Sequence, residues 1–130
     1  MPRIHHVALW ARDLDQLCDF YSRTFGAKIG PMYENKSTGY RSRFLSFGDG
    51  ASIEVMASTA LPLEQQEPGS QRLGLTHLAI SLGSELAVDG LANKLRSQGL
   101  PVIDGPRRTG DGYYECVILD PEGNRVEVTV

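Results

Sequence analysis

Apolar positions recur along this chain in two rhythms, and each rhythm appears twice. A period of two runs through Ile4-His5-His6-Val7-Ala8-Leu9 and again through Leu75-Thr76-His77-Leu78-Ala79-Ile80-Ser81, the spacing of a strand whose side chains point alternately to opposite faces. In the second run Thr76, Leu78 and Ile80 share one face, leaving His77 on the other with Leu75, Ala79 and Ser81. In the first, Val7 and Leu9 take the core face and His6 lies opposite with Ala8 and Trp10. His6, rather than His5, is therefore the counterpart of His77.

After each strand the period lengthens to that of a helix. Leu14, Leu17, Cys18, Tyr21 and Phe25 follow helical spacing, with Asp13 as cap, Gln16 three residues on to complete a capping box, and Gly26 as the stop. Leu86, Val88, Leu91, Ala92 and Leu95 form the second such helix, stopped by Gly99. Strands follow each helix. In the first half, 27–33 reads as a strand interrupted by Gly30-Pro31, and 34–39 as a polar loop. A hairpin of 40–47 and 51–57 then closes through Gly48-Asp49-Gly50. In the second half a short strand around Val102-Ile103 leads to a loop over 104–112. Strands over 113–119 and 125–130 are joined by the turn Asp120-Pro121-Glu122-Gly123. Ile53 and Val55 face the core, so Glu54 projects the other way; Val126, Val128 and Val130 do the same for Glu127.

The pattern is an internal repeat of two β-α-β-β-β modules, about 3–57 and 74–130, joined by a Pro-, Gln-, Glu- and Ser-rich linker at 58–73. It predicts an α+β fold, and 130 residues fit one domain. Each module offers one histidine on its first strand and one glutamate on its last, 48 residues apart in the first copy and 50 in the second.

A net charge of −3 and few clustered arginines give no basic stripe for nucleic acid or an anionic membrane. No apolar run is long enough to span a bilayer, and Met1-Pro2-Arg3-Ile4 leads into a strand rather than a signal-peptide core, so a cytoplasmic location is expected. Two cysteines, Cys18 and Cys116, lack motif spacing and read as reduced structural thiols.

His6, Glu54, His77 and Glu127 carry the chemistry. Taken singly, each has a plain explanation as a satisfied histidine or a solvated strand carboxylate. Taken together that explanation weakens, because a carboxylate between Ile53 and Val55, or between Val126 and Val128, costs several kcal/mol if buried without a partner. Pairing of the modules about a pseudo-two-fold brings the four to one concave sheet. Two imidazoles and two carboxylates suit Ni²⁺, Co²⁺, Zn²⁺, Fe²⁺ or Mn²⁺ better than Ca²⁺ or Mg²⁺, and the lack of a thiolate points away from a structural zinc site. Positions left over would take water or substrate. His5 reads as an edge residue or as support for His6. Trp10 and Met56, on the ligand faces, are candidate pocket walls or simple packing residues. Tyr113 and Tyr114 straddle a strand, so that one packs and the other lines the cavity. Arg43 and Arg107 or Arg108 are candidates for an anionic substrate, although loop arginines are commonly solvated.

The paired modules, with His6-Val7-Ala8-Leu9, Ile53-Glu54-Val55-Met56, Thr76-His77-Leu78-Ala79-Ile80 and the run Leu119-Asp120-Pro121-Glu122-Gly123-Asn124-Arg125-Val126-Glu127-Val128, resemble the vicinal-oxygen-chelate superfamily. That superfamily includes glyoxalase I, fosfomycin-resistance enzymes, extradiol dioxygenases, methylmalonyl-CoA epimerase and metal-free bleomycin-binding proteins. The order His-Glu-His-Glu is similar to bacterial glyoxalase I. The resemblance implies His6, Glu54, His77 and Glu127 as metal ligands and a lactoylglutathione lyase type of reaction through an enediolate. Glu127, with Glu54, would shuttle the proton. It also implies a small-molecule substrate, a thiol adduct among the candidates, and a homodimer in which modules pair within or between chains. The chain departs from glyoxalase I where Leu9-Trp10 replaces an arginine and Val55-Met56-Ala57 follows Glu54 without an asparagine, which leaves the thiol open. A fosfomycin-type thiol transferase or hydrolase, a dioxygenase and a non-catalytic antibiotic-binding protein are the alternatives.

Overall fold

The computed structural model describes residues 1–62, 64 and 66–130, and its described residues form nine strands and two helices. They divide into two compact units, Met1–Gln65 and Gln66–Val130, a boundary inside the linker expected at 58–73.

Unit 1 runs β1 (His6–Trp10), α1 (Leu14–Phe25), β2 (Lys28–Ile29), β3 (Tyr33–Asn35), β4 (Tyr40–Ser46) and β5 (Ser52–Ser58). Its sheet has the order β1-β5-β4-β2, with β3 also paired to β4; β1 and β5 are parallel and the other pairs antiparallel. The helix starts where the sequence predicts, as Asp13 accepts the Gln16 N–H at 2.9 Å, and stops at Gly26 in the left-handed region. Its buried stripe of Leu14, Leu17, Cys18 and Tyr21 covers the sheet face that carries Leu45, Ile53, Val55 and Ala57. The leucines, Ile53 and Val55 among them contribute about 1.5–3 kcal/mol each on full burial.

Unit 2 repeats the plan with β6 (His77–Ser81), α2 (Glu85–Ser97), β7 (Val102–Arg108), β8 (Tyr114–Leu119) and β9 (Arg125–Thr129), in the order β6-β9-β8-β7. Again the first and last strands are parallel and the others antiparallel. Ser84 caps α2, and Val88, Ala92 and Leu95 pack with Cys116, Ile118, Val126 and Val128, whereas Leu86 points to solvent. Helices and sheets together make the α+β fold expected from the repeat.

Three boundaries differ from the expectation. Residues 27–39 hold two short strands rather than one strand and a loop, and Glu34 and Asn35 belong to β3. The 104–112 loop is strand as far as Arg108, because β7 pairs with β8 through two register shifts, the second of which takes in Gly105-Pro106. Gly105 has φ +75°, and a Cβ there would lie 2.6 Å from the Glu115 carbonyl oxygen, so this close approach requires glycine. Finally, β1 and β6 begin at His6 and His77, whose partners Ser52 and Arg125 are the first residues of β5 and β9. Each histidine thus opens its strand.

Candidate metal-binding pairs

Strand alternation and register build the same pair in both units. Glu54 faces Ala8 across β1 and β5, and Glu127 faces Ala79 across β6 and β9. An alanine directly opposite leaves room for the histidine two residues upstream to lean toward the carboxylate on the same face. His6 Nε2 stands 3.9 Å from Glu54 Oε2, and His77 Nε2 stands 3.1 Å from Glu127 Oε2. The glutamates are mostly covered, at 15% and 21% side-chain exposure, while the histidines keep 39% and 38%. Each pair is open enough to admit a ligand.

Nδ1 of each ring is occupied as well. His5 Nδ1 lies 2.9 Å from His6 Nδ1, and Thr76 Oγ1 lies 2.9 Å from His77 Nδ1. With Nδ1 engaged, Nε2 is the atom left toward the glutamate in both units.

The surroundings of the two pairs differ. Around Glu54 they are aromatic: Tyr40 donates its O–H to Glu54 Oε1 at 2.9 Å, Phe44 meets the His6 ring edge-on at 5.3 Å, and Trp10 and Tyr33 stand around Tyr40. Trp10 and Met56 share a row with Ser42 and Tyr33, which places both predicted wall residues on the Glu54 face. Burial raises the Tyr40 hydroxyl above its usual range. Around Glu127 the face is charged. Glu115 is pushed up to about 7, first by a hydrogen bond with Glu127, then by burial, with Arg107 pulling the other way. Arg107 is fastened to Asp104 at 3.0 Å and sits opposite Glu115 on the neighbouring strand. It is a paired strand residue rather than the solvated loop arginine considered from the sequence.

Two predicted substrate contacts fall on the helix-covered faces instead. Arg43 pairs with Val55, donates to the Gly30 carbonyl at 2.8 Å and approaches Asp15 on α1. Tyr114 donates its hydroxyl to Asp89 on α2 and lies under the Arg108 guanidinium, which also bonds Glu85. Both fasten helix to sheet. Tyr113 is 59% exposed in the turn before β8. Tyr40, Phe44 and Glu115 were missed, although alternation along β4 and β8 carries the signal, since each shares a face with a glutamate. Cys18 and Cys116 are buried free thiols, pushed up to about 11 by that burial.

Among the described residues, no three His, Cys, Asp or Glu side chains gather as a metal-binding group. The donor chemistry nevertheless fits a divalent ion, with an imidazole Nε2 and a carboxylate side by side in each unit.

The fold is that of a class of paired-module α+β proteins. The sequence profile of the Glyoxalase/Bleomycin resistance protein/Dioxygenase superfamily matches residues 3–128, and the chain belongs to that superfamily. It is 30% identical to the uncharacterized protein YqjT of Bacillus subtilis, over 96% of either chain. It is 28% identical to a 2-epi-5-epi-valiolone epimerase of Actinomyces sp (84% of this chain, 66% of the relative). It is also 29% identical to the lactoylglutathione lyase GLX1 of Arabidopsis thaliana (97% of this chain, 43% of the relative). Glyoxalase I of Zea mays has the same fold, with a TM-score of 0.78 at 24% identity over 98% of this chain and 44% of the maize chain. The chain therefore spans under half the length of either plant protein.

Proposed function

We propose that the chain is a metal-dependent enzyme of the glyoxalase I type, a lyase acting on a small oxygen-bearing substrate, with His6, Glu54, His77 and Glu127 as metal ligands. One observation carries the reading: the same His–Glu pair, with Nε2 toward the carboxylate and alanine opposite the glutamate, recurs in both units. The set draws two donors from each unit, within one chain or across a homodimer.

A divalent ion so held would draw charge from two neighbouring substrate oxygens and acidify the C–H beside the carbonyl. Glu127, with Glu54, would take the proton from one carbon and return it to the next. Tyr40 holds Glu54 in place through its O–H, while Trp10 and Met56 would pack the apolar part of the substrate. Arg107, within the charged surroundings of Glu127, would receive an anionic group. Tyr113, exposed in its turn, would close over the substrate's far end. The epimerase relative favours a second reading in which the proton returns to the carbon it left.

The test is metal analysis of the purified chain, followed by a lactoylglutathione-forming assay after reloading with Ni²⁺, Co²⁺ or Zn²⁺. Bound metal and turnover that falls at least about 100-fold in Glu127→Gln are expected, the scale of a lost general base. Metal with no lyase product, but with solvent deuterium entering a substrate stereocentre, would move the assignment to epimerisation. A chain that takes up no metal would refute the ligand assignment.

A further inference from the structure

Thr76 stands immediately before the candidate ligand His77, and its hydroxyl meets the ring nitrogen that faces away from Glu127. Thr76 Oγ1 is 2.9 Å from Nδ1, and Glu127 Oε2 is 3.1 Å from Nε2. We propose that Thr76 is a positioning residue for His77: a two-way hydrogen-bond partner that holds the ring in one orientation with its proton on either nitrogen. The proposal rests on the metal-site reading above.

A carboxylate oxygen beside Nε2 favours a proton on that nitrogen, and the Nδ1 of a ring in that tautomer accepts. A metal ligand needs the Nε2 lone pair, so the proton then sits on Nδ1, which must donate. A backbone carbonyl beside Nδ1 would favour only the second state, and an ammonium only the first. A hydroxyl serves both by turning about its C–O bond. The ring need not swing between the two tautomers: one proton leaves Nε2 to water and another reaches Nδ1 from water.

Unit 1 has the same relation with different chemistry. His5 precedes His6, and its Nδ1 lies 2.9 Å from His6 Nδ1. A neutral imidazole can donate or accept at that atom according to its own tautomer. Both partners stand at the mouth of the ladder, just before its first paired residue, since β1 starts at His6 and β6 at His77. Sheet alternation does not force such residues to the opposite face, so a neighbour in sequence can reach round to the ring.

The experiment compares wild type, Thr76→Val and Thr76→Ser, each ¹⁵N-labelled and stripped of metal. Ring nitrogen shifts are read well above the imidazole titration range, and Zn²⁺ and Ni²⁺ affinities are read by chelator competition. Valine keeps the shape and removes the hydroxyl; serine keeps the hydroxyl. In Thr76→Val the His77 Nδ1 resonance should move to the position of an unbonded imine nitrogen, and affinity should fall about 10–100-fold. Thr76→Ser should restore both. An Nδ1 resonance unmoved in Thr76→Val, or an affinity equal to wild type, would overturn the proposal. Failure of wild type to bind either ion would instead overturn the metal-site reading, and it is seen before any variant is made.

Discussion

At the scale of single residues, the strongest constraints lie where polar groups are buried. Asp120, 4% exposed, accepts the N–H groups of Glu122 and Asn124 and the Asn124 amide, and so builds the turn that aims β9 and its Glu127. Removing the carboxylate takes away the bonds those donors make to it. Asp120→Ala should therefore cost about 2–4 kcal/mol in a urea titration. The cysteines give a pH dependence. Their folded pKa, about 11, lies above that of an unfolded thiol, so the unfolded chain loses protons first as pH rises. The cysteines' contribution should hold below pH ~9 and be lost toward pH ~11, and the fall over that range should be shallower when Cys18 and Cys116 are both replaced by alanine. Thiol reagents should label neither residue until the chain unfolds. Alternation alone exposed Glu54 and Glu127, since a charge between two core residues breaks a pattern. Glu115 did not stand out because it follows two tyrosines and precedes a cysteine, none of which marks a face clearly. Thr76 was hidden for another reason: its contact depends on where the ladder begins, which periodicity does not record.

Elements were legible wherever one face is apolar and the other is not. The helix α1 has the cap expected at Asp13, whereas in α2 the expected stripe lacks Leu86, which is exposed, and the cap is Ser84, which the pattern did not single out; Ser84→Ala should destabilise the chain by about 1 kcal/mol through loss of the bond to the Ala87 N–H. Of strand β7 only the start, around Val102-Ile103, was legible. Its run Val102-Ile103-Asp104-Gly105-Pro106-Arg107-Arg108 has no period of two, because the register slips twice against β8. Pairing with a neighbour, rather than its own pattern, makes it a strand. Gly105→Ala tests this directly. The added Cβ would press on the Glu115 carbonyl and force a strained backbone, with an expected loss of at least about 2 kcal/mol and broadened amide resonances along β7 and β8.

At the scale of the molecule, the repeat was readable because two units of the same plan place the same residue types at matching positions. Each unit is described by its own sheet, helix and core. Among the described residues, no helix is long and apolar enough to cross a membrane. The proposed homodimer predicts sedimentation at twice the mass of the chain. The proposed metal predicts a rise in melting temperature on adding Ni²⁺ or Zn²⁺, reversed by a chelator and absent in His77→Ala. In the metal-free state His77→Ala should leave the unfolding free energy from a urea titration within about 0.5 kcal/mol of wild type, because the ring is 38% exposed and outside the core.

That last expectation follows from the pleat. Odd and even positions of β5 and β9 answer to different demands: Ile53, Val55, Val126 and Val128 keep the chain folded, while Glu54 and Glu127 between them are free to change. A lineage built on this sheet can exchange one chemistry for another, or abandon chemistry and merely hold a small molecule, by single substitutions that folding does not oppose. The alanines opposite the glutamates hold the proposed pairs open without donating to them; a bulky residue at Ala8 or Ala79 would silence a pair while leaving every donor in the sequence.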